Sequence, residues 1–181
     1  MRPENIPMQS PTILVLGVGN ALMSDEGVGV QCIHRLSAFY SFSENVRLLD
    51  GGTLGMGLLG PISEAGFLIV ADTALQGLEP GVISKLSVED IRIRSSEKQS
   101  MHELSFSETL FIAEAMGYLP PTIIVAIEPQ DIVTLGAALT PLVAEKLEDL
   151  CSRVLDEIKS AGGVVTPKKP GPRSWSFSLC S

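Results

Sequence analysis

The chain has 181 residues, of which 45% are hydrophobic and 19% charged, and its formal net charge is -8. That length suits one compact domain, and the composition excludes a disordered or fibrous chain. The acidic balance weighs against nucleic acid or an anionic membrane as partner, since both need a basic surface, and the longest apolar runs are far too short to span a bilayer.

Met1 to Pro11 carries Arg2 and Glu4 and no apolar core of a secretory signal, so residues 1–11 read as an N-terminal extension and the protein is expected in the cytoplasm. Thr12 to Leu16 is a β-branched apolar run ending at Gly17, expected to form a buried strand and the centre of a sheet. From Asp25 to Tyr40, Val28, Cys32, Ile33, Leu36 and Tyr40 fall at helical spacing, with Ser24 placed to cap the helix. Val46 to Leu49 is a second strand that stops at Asp50-Gly51-Gly52, and Leu54 to Leu59 has a weak helical pattern. Phe67 to Ala71 is the third strand and Gly81 to Leu86 the fourth. Ser87 to Met101 is polar and lacks sustained periodicity, which suggests a long surface loop. Glu103 to Met116 resumes helical spacing until Pro120-Pro121, Thr122 to Ile127 is the fifth strand, and Leu142 to Ile158 is an amphipathic helix ended by Gly162-Gly163.

Strands alternating with helices imply a three-layer α/β sandwich, a mainly parallel, twisted five-stranded sheet with helices on both faces, in one domain over residues 12–165. Residues 166–181 show no helical or strand period and read as a mobile tail. The three cysteines, Cys32, Cys151 and Cys180, are widely separated with no CxxC spacing, and Cys32 and Cys151 read as small buried hydrophobes.

In an open parallel sheet, ligands bind beyond the carboxyl ends of the strands. Acids stand there in three places: Asp25 and Glu26 after the first strand, Asp50 after the second and Asp72 after the third. A dinucleotide fingerprint would need glycine where Leu22 stands, and two carboxylates at a helix start suit a cation better than a phosphate. His34 falls mid-helix and reads as a surface or satisfied residue, whereas His102 ends a polar loop. Glu26, Asp72 and His102 together would supply two carboxylates and one imidazole to a divalent first-row metal, with positions left open and little selectivity among metals. On spacing alone the same three read more readily as a helix cap, a turn cap and an exposed loop histidine, because ligands this far apart in sequence make a motif of low specificity.

The segment from Ile13 to Val30, with Gly17-Val18-Gly19-Asn20, Asp25-Glu26 and Gly27-Val28-Gly29-Val30, resembles the N-terminal signature of the nickel-iron hydrogenase maturation endopeptidases. The resemblance continues through Asp50-Gly51-Gly52-Thr53, Ile69 to Asp72, the His102 region and Ile127 to Gln130, and covers about residues 12–160. It implies that Glu26, Asp72 and His102 meet nickel, and that this nickel arrives in the substrate, a hydrogenase large-subunit precursor whose C-terminal extension is removed. It also implies a part in cleavage or substrate discrimination for the Asp50, Gly51, Gly52, Thr53 loop, with Asp25 in support and Asp50 or Asp72 assisting proton transfer as catalytic carboxylates. No organic cofactor is implied. The family's histidine is often followed by glutamine, where this chain has Glu103.

No GxSxG elbow, HExxH pair or Cys–His nucleophile is present, so metal-assisted hydrolysis is the expected chemistry. The alternative is a checkpoint or chaperone that binds the metal-loaded precursor without cleaving it. A nucleotide-binding module is disfavoured by the missing phosphate loops.

Overall fold

The computed structural model describes residues 11–97, 104–136 and 138–168. Seven strands and five α-helices follow in the order β1 (Ile13–Val18), α1 (Val28–Phe39), β2 (Tyr40–Phe42), β3 (Val46–Gly52), α2 (Leu59–Ser63), β4 (Phe67–Thr73), β5 (Ile83–Leu86), α3 (Val88–Glu97), α4 (Leu104–Ala115), β6 (Thr122–Ile127), α5 (Pro141–Ser160) and β7 (Val165–Pro167). Short 3-10 turns at Ser24–Gly27 and Gly55–Leu58 lead into α1 and α2.

The main sheet has the order β3-β1-β4-β6-β5. It is parallel except for β5, which runs antiparallel to β6 at the edge. The expected five-strand, mainly parallel α/β layering is therefore observed. The centre is β4, however, and not β1, which lies between β3 and β4. A strand buried on both faces reads as a continuous apolar run wherever it stands in the sheet, so composition could not rank β1 against β4.

Side-chain alternation sorts these strands onto two cores. Ile13 and Val15 of β1, Ile69 and Ala71 of β4, and Val125 and Ile127 of β6 pack with α1 and α5. Leu14, Leu16 and Val18, Leu68 and Val70, and Ile124 and Ala126 pack on the other face with Leu58, Ile62, Leu110 and Ala113. Helix α5 carries its buried face on Val143, Leu147, Leu150, Cys151, Val154, Leu155 and Ile158, the spacing of one helical stripe. Its end closes with two bonds: Gly162 N–H to Lys159 C=O (3.0 Å) and Gly163 N–H to Ile158 C=O (2.9 Å). Gly162 there has φ of 92°, which a residue without Cβ adopts at little cost.

Two expectations change. The loop expected from Ser87 contains α3, started by a reciprocal cap: Ser87 Oγ accepts from Asp90 N–H (3.1 Å) and Asp90 Oδ2 accepts from Ser87 N–H (2.8 Å). Arg92 then ties α3 to α4 through Glu114 and lies 5.1 Å from the centre of the Phe111 ring. Polar anchors of this kind leave no apolar period to read. The tail expected from Thr166 also starts later, because β7 pairs antiparallel with β2, Ser41 opposite Thr166, and Lys168 N–H donates to Phe39 C=O (2.8 Å). A three-residue strand is too short to show alternation. Residues 1–10 and 169–181 lie outside the described residues.

Candidate active site at the carboxyl edge of the sheet

The register fixes where the acids stand. Gly17 of β1 pairs with Asp50 on one side and with Ala71 on the other, so Asp50 and Asp72 flank the end of β1. The chain then turns through Gly19, whose φ is 125°. A Cβ at that position would stand 1.8 Å from the Glu26 carbonyl oxygen and 3.8 Å from Asp72 Oδ1. Only glycine allows this approach, which brings the Glu26 main chain and the Asp72 carboxylate to the same turn. The Gly19 N–H donates to Gly52 C=O (3.1 Å), which ties the loop after β1 to the loop after β3. Ten residues further along, Gly29 lets α1 settle onto the sheet: a Cβ there would meet the Ala71 and Val18 carbonyls at 2.2 and 2.4 Å.

Glu26 and Asp72 are both half-buried, and Asp72 Oδ1 accepts from Thr73 N–H (2.7 Å). Ser24, which opens the 3-10 turn before Glu26, has φ of 36°, a left-handed conformation uncommon outside glycine and frequent at functional sites. Its hydroxyl donates to Ala138 C=O (3.3 Å), so it does not cap α1 as its position in the sequence suggested.

Asp25 is fully buried and faces away from the crevice occupied by its neighbour. Its Oδ2 accepts from Gln130 N–H (2.9 Å), Asp131 N–H (2.9 Å) and the Thr140 hydroxyl (3.0 Å), and its Oδ1 from Thr140 N–H (2.7 Å). Thr140 is the N-cap of α5. The acid therefore clamps the loop between β6 and α5 to the loop between β1 and α1, and, being fully buried, it offers no atom to a substrate. Asp131, in the clamped loop, accepts from Thr134 N–H (3.0 Å) and Val133 N–H (2.9 Å); its hydrogen bonds to Thr134, then the one to Val133, hold its carboxyl below the usual aspartate value.

The residues of the Asp50 loop differ among themselves. Gly51 is buried against the Gly17 carbonyl and Leu58, Gly52 is half-buried, and Thr53 is exposed. Asp50 is 43% exposed, and its Oδ2 lies 2.8 Å from Nε2 of His34 on α1. His34 was set aside on sequence grounds, and a mid-helix histidine carries no signal of the carboxylate facing it. Glu128 was also missed as a clamp. It is buried, and its carboxylate accepts from Gln76 N–H (2.7 Å) and Gly77 N–H (3.2 Å), fixing the loop between β4 and β5. Its position directly after β6, like those of Asp50 and Asp72 near the ends of β3 and β4, was the available signal.

His102, the third expected ligand, lies outside the described residues. Among the described residues no group of three histidine, cysteine or acidic side chains is placed to hold a metal ion. Of the expected ligands, the described residues include Glu26 and Asp72, both of them hard oxygen donors.

The family model for hydrogenase maturation proteases matches residues 30–157. The chain belongs to the hydrogenase maturation protease family. It is 35% identical over 156 residues to hydrogenase expression/formation protein HupD of Rhodobacter capsulatus, covering 85% of this chain and 74% of that protein. It is 33% identical over 159 residues to hydrogenase 2 maturation protease of Escherichia coli, covering 87% and 96%. Among solved structures, the hydrogenase maturating endopeptidase HybD from E. coli superposes with a TM-score of 0.79 at 33% identity, over 86% of this chain and 97% of that one. This protease is therefore a peptide hydrolase of hydrogenase maturation, which decides against the checkpoint that cleaves nothing. No helix among the described residues is long and apolar enough to cross a membrane.

Proposed function

We propose that this protease removes the C-terminal extension of a nickel-loaded hydrogenase large-subunit precursor, and that the nickel is part of the substrate, with no metal resident in the enzyme. The observation that carries the reading is the placement of Asp72 Oδ1 beside Gly19, whose turn packs on the Glu26 main chain at the carboxyl edge of the sheet. Glu26 and Asp72 offer carboxylate oxygens suited to a first-row cation that a substrate carries. With His102 added, the set is two oxygens and one imidazole nitrogen, which suits nickel among several first-row ions. The cytoplasm is the compartment this reading implies.

The surroundings suit a polypeptide. The loops after β1, β3 and β6 leave Leu22, Leu54, Met56, Val133 and Leu135 exposed, apolar side chains that can cover a chain laid across the acids. Peptide hydrolysis requires a polarised carbonyl and a proton delivered to the leaving amine. Asp72 borders the point where the carbonyl would be polarised, and Asp50, on the neighbouring loop, serves the proton transfer in an aspartate-dependent mechanism.

The test is to incubate the protease with nickel-loaded and nickel-free precursor and measure the size of the large subunit. Shortening of the loaded form alone is expected. Shortening of neither would sink the proposal, and equal shortening of both would remove nickel from it. Glu26→Gln, Asp72→Asn and His102→Ala are each expected to abolish processing while circular dichroism shows the wild-type fold.

A further inference from the structure

Asp50 stands near the end of β3, with its side chain 43% exposed at the carboxyl edge of the sheet. The single side chain that engages it in the described structure is His34, itself 64% exposed, at 2.8 Å. An exposed pair of this kind contributes little to folding. Its consequence is geometric. An ionised carboxylate only accepts hydrogen bonds, so Nε2 carries the proton and donates to Oδ2. The ring comes from α1, which is packed rigidly against the end of β1 through Gly17 and Gly29. The other oxygen, Oδ1, is left beside Gly52, 3.6 Å from where a Cβ of that residue would stand. Gly52 is the residue bonded to Gly19, beside which Asp72 Oδ1 stands.

We propose that His34 is a positioning residue for Asp50: it fixes Oδ2 from the helix side and so presents Oδ1 to the crevice. This rests on the role assigned to Asp50 above. Fixing one oxygen restricts the carboxylate in advance of the reaction, which favours proton transfer in the bound complex without adding to substrate affinity.

The experiment compares wild type, His34→Ala, His34→Gln and Asp50→Asn, measuring single-turnover cleavage of the nickel-loaded precursor and, separately, its Kd. His34→Ala is expected to slow cleavage about tenfold with Kd and melting temperature unchanged, the loss typical of a misplaced catalytic group. Glutamine retains an amide donor near the position of Nε2 and should recover most of the rate. Wild-type cleavage by His34→Ala, with Asp50→Asn impaired, overturns the positioning role and leaves that of Asp50 standing. Equal slowing by alanine and glutamine also overturns it, because the donor would then be irrelevant. Wild-type cleavage by Asp50→Asn removes both roles together, a result distinct from either.

Discussion

Replacing Asp25 with asparagine tests whether the buried acid is a clamp. The carboxylate accepts four hydrogen bonds, three on Oδ2 and one on Oδ1. Asparagine keeps one acceptor oxygen. In its better orientation that oxygen retains the three bonds from Gln130, Asp131 and the Thr140 hydroxyl, and the amide nitrogen is set against Thr140 N–H, donor to donor. One charge-assisted bond is lost and a buried donor is left unpaired, a cost of about 2–3 kcal/mol. In a domain of this size that corresponds to a fall in Tm of about 5–10 °C. Asp25→Ala, which removes all four, should cost about 3–5 kcal/mol. Thermal melts give the magnitude, and amide hydrogen exchange gives the location: protection should fall first at Thr140 in the asparagine variant and at Gln130, Asp131 and Thr140 in the alanine variant. An asparagine variant that melts within about 1 °C of wild type, or an alanine variant that keeps protection at all three amides, would refute the clamp.

Gly19→Ala should be far worse than its size suggests, since the backbone is at φ of 125° and the new methyl meets the Glu26 carbonyl at 1.8 Å. A loss of about 3 kcal/mol or more in urea denaturation is expected, together with loss of processing. Gly60→Ala is the control: within α2, with nothing within 4 Å of the added methyl, it should be neutral or stabilise by about 0.5 kcal/mol. The buried thiols make a pH prediction. Cys32 and Cys151 lie with their sulfurs 3.5 Å apart, and the hydrogen bond to Cys151, followed by burial, pushes the Cys32 thiol well above its ordinary 9.0. The folded state then holds a proton that the unfolded chain releases, so the contribution is complete below about pH 9 and is lost as pH rises through the folded value. The stability gap between wild type and Cys32→Ala should narrow from pH 8 to pH 10 in denaturant melts, and a constant gap would contradict the shift.

The strands and the large helices were legible because each buries a face, and burial leaves a period: Val28, Cys32, Ile33 and Leu36 of α1, and the stripe of α5, are written in apolar spacing. What was illegible is held by polar contacts. The Ser87–Asp90 cap and the Arg92 contacts make α3 from a segment with no apolar face, and backbone pairing with β2 alone makes β7. The site divides the same way. Strand ends place Asp50 and Asp72 at one sheet edge, and that much follows from topology. The His34–Asp50 contact and the inward turn of Glu128 depend on side-chain directions between elements remote in sequence, which no local pattern encodes.

Asp25 and Glu26 bring these levels together. They are adjacent acids at the start of one helix, and sequence alone offers no reason to separate them. In a 3-10 turn, however, successive side chains point about 120° apart, so the pair cannot share a direction. The first turns inward, where amides of the loop before α5 satisfy it, and the second is half-buried, with its main-chain carbonyl packed against Gly19. The clamp and the residue proposed to meet the substrate's cation are thus neighbours on one short turn. It follows that Asp25→Asn should reduce processing beyond what the folded fraction accounts for, even though Asp25 has no exposed atom with which to touch the precursor. The loss should appear chiefly in turnover, since the turn that shifts carries Glu26, the proposed cation contact, while the apolar side chains around the crevice remain in place.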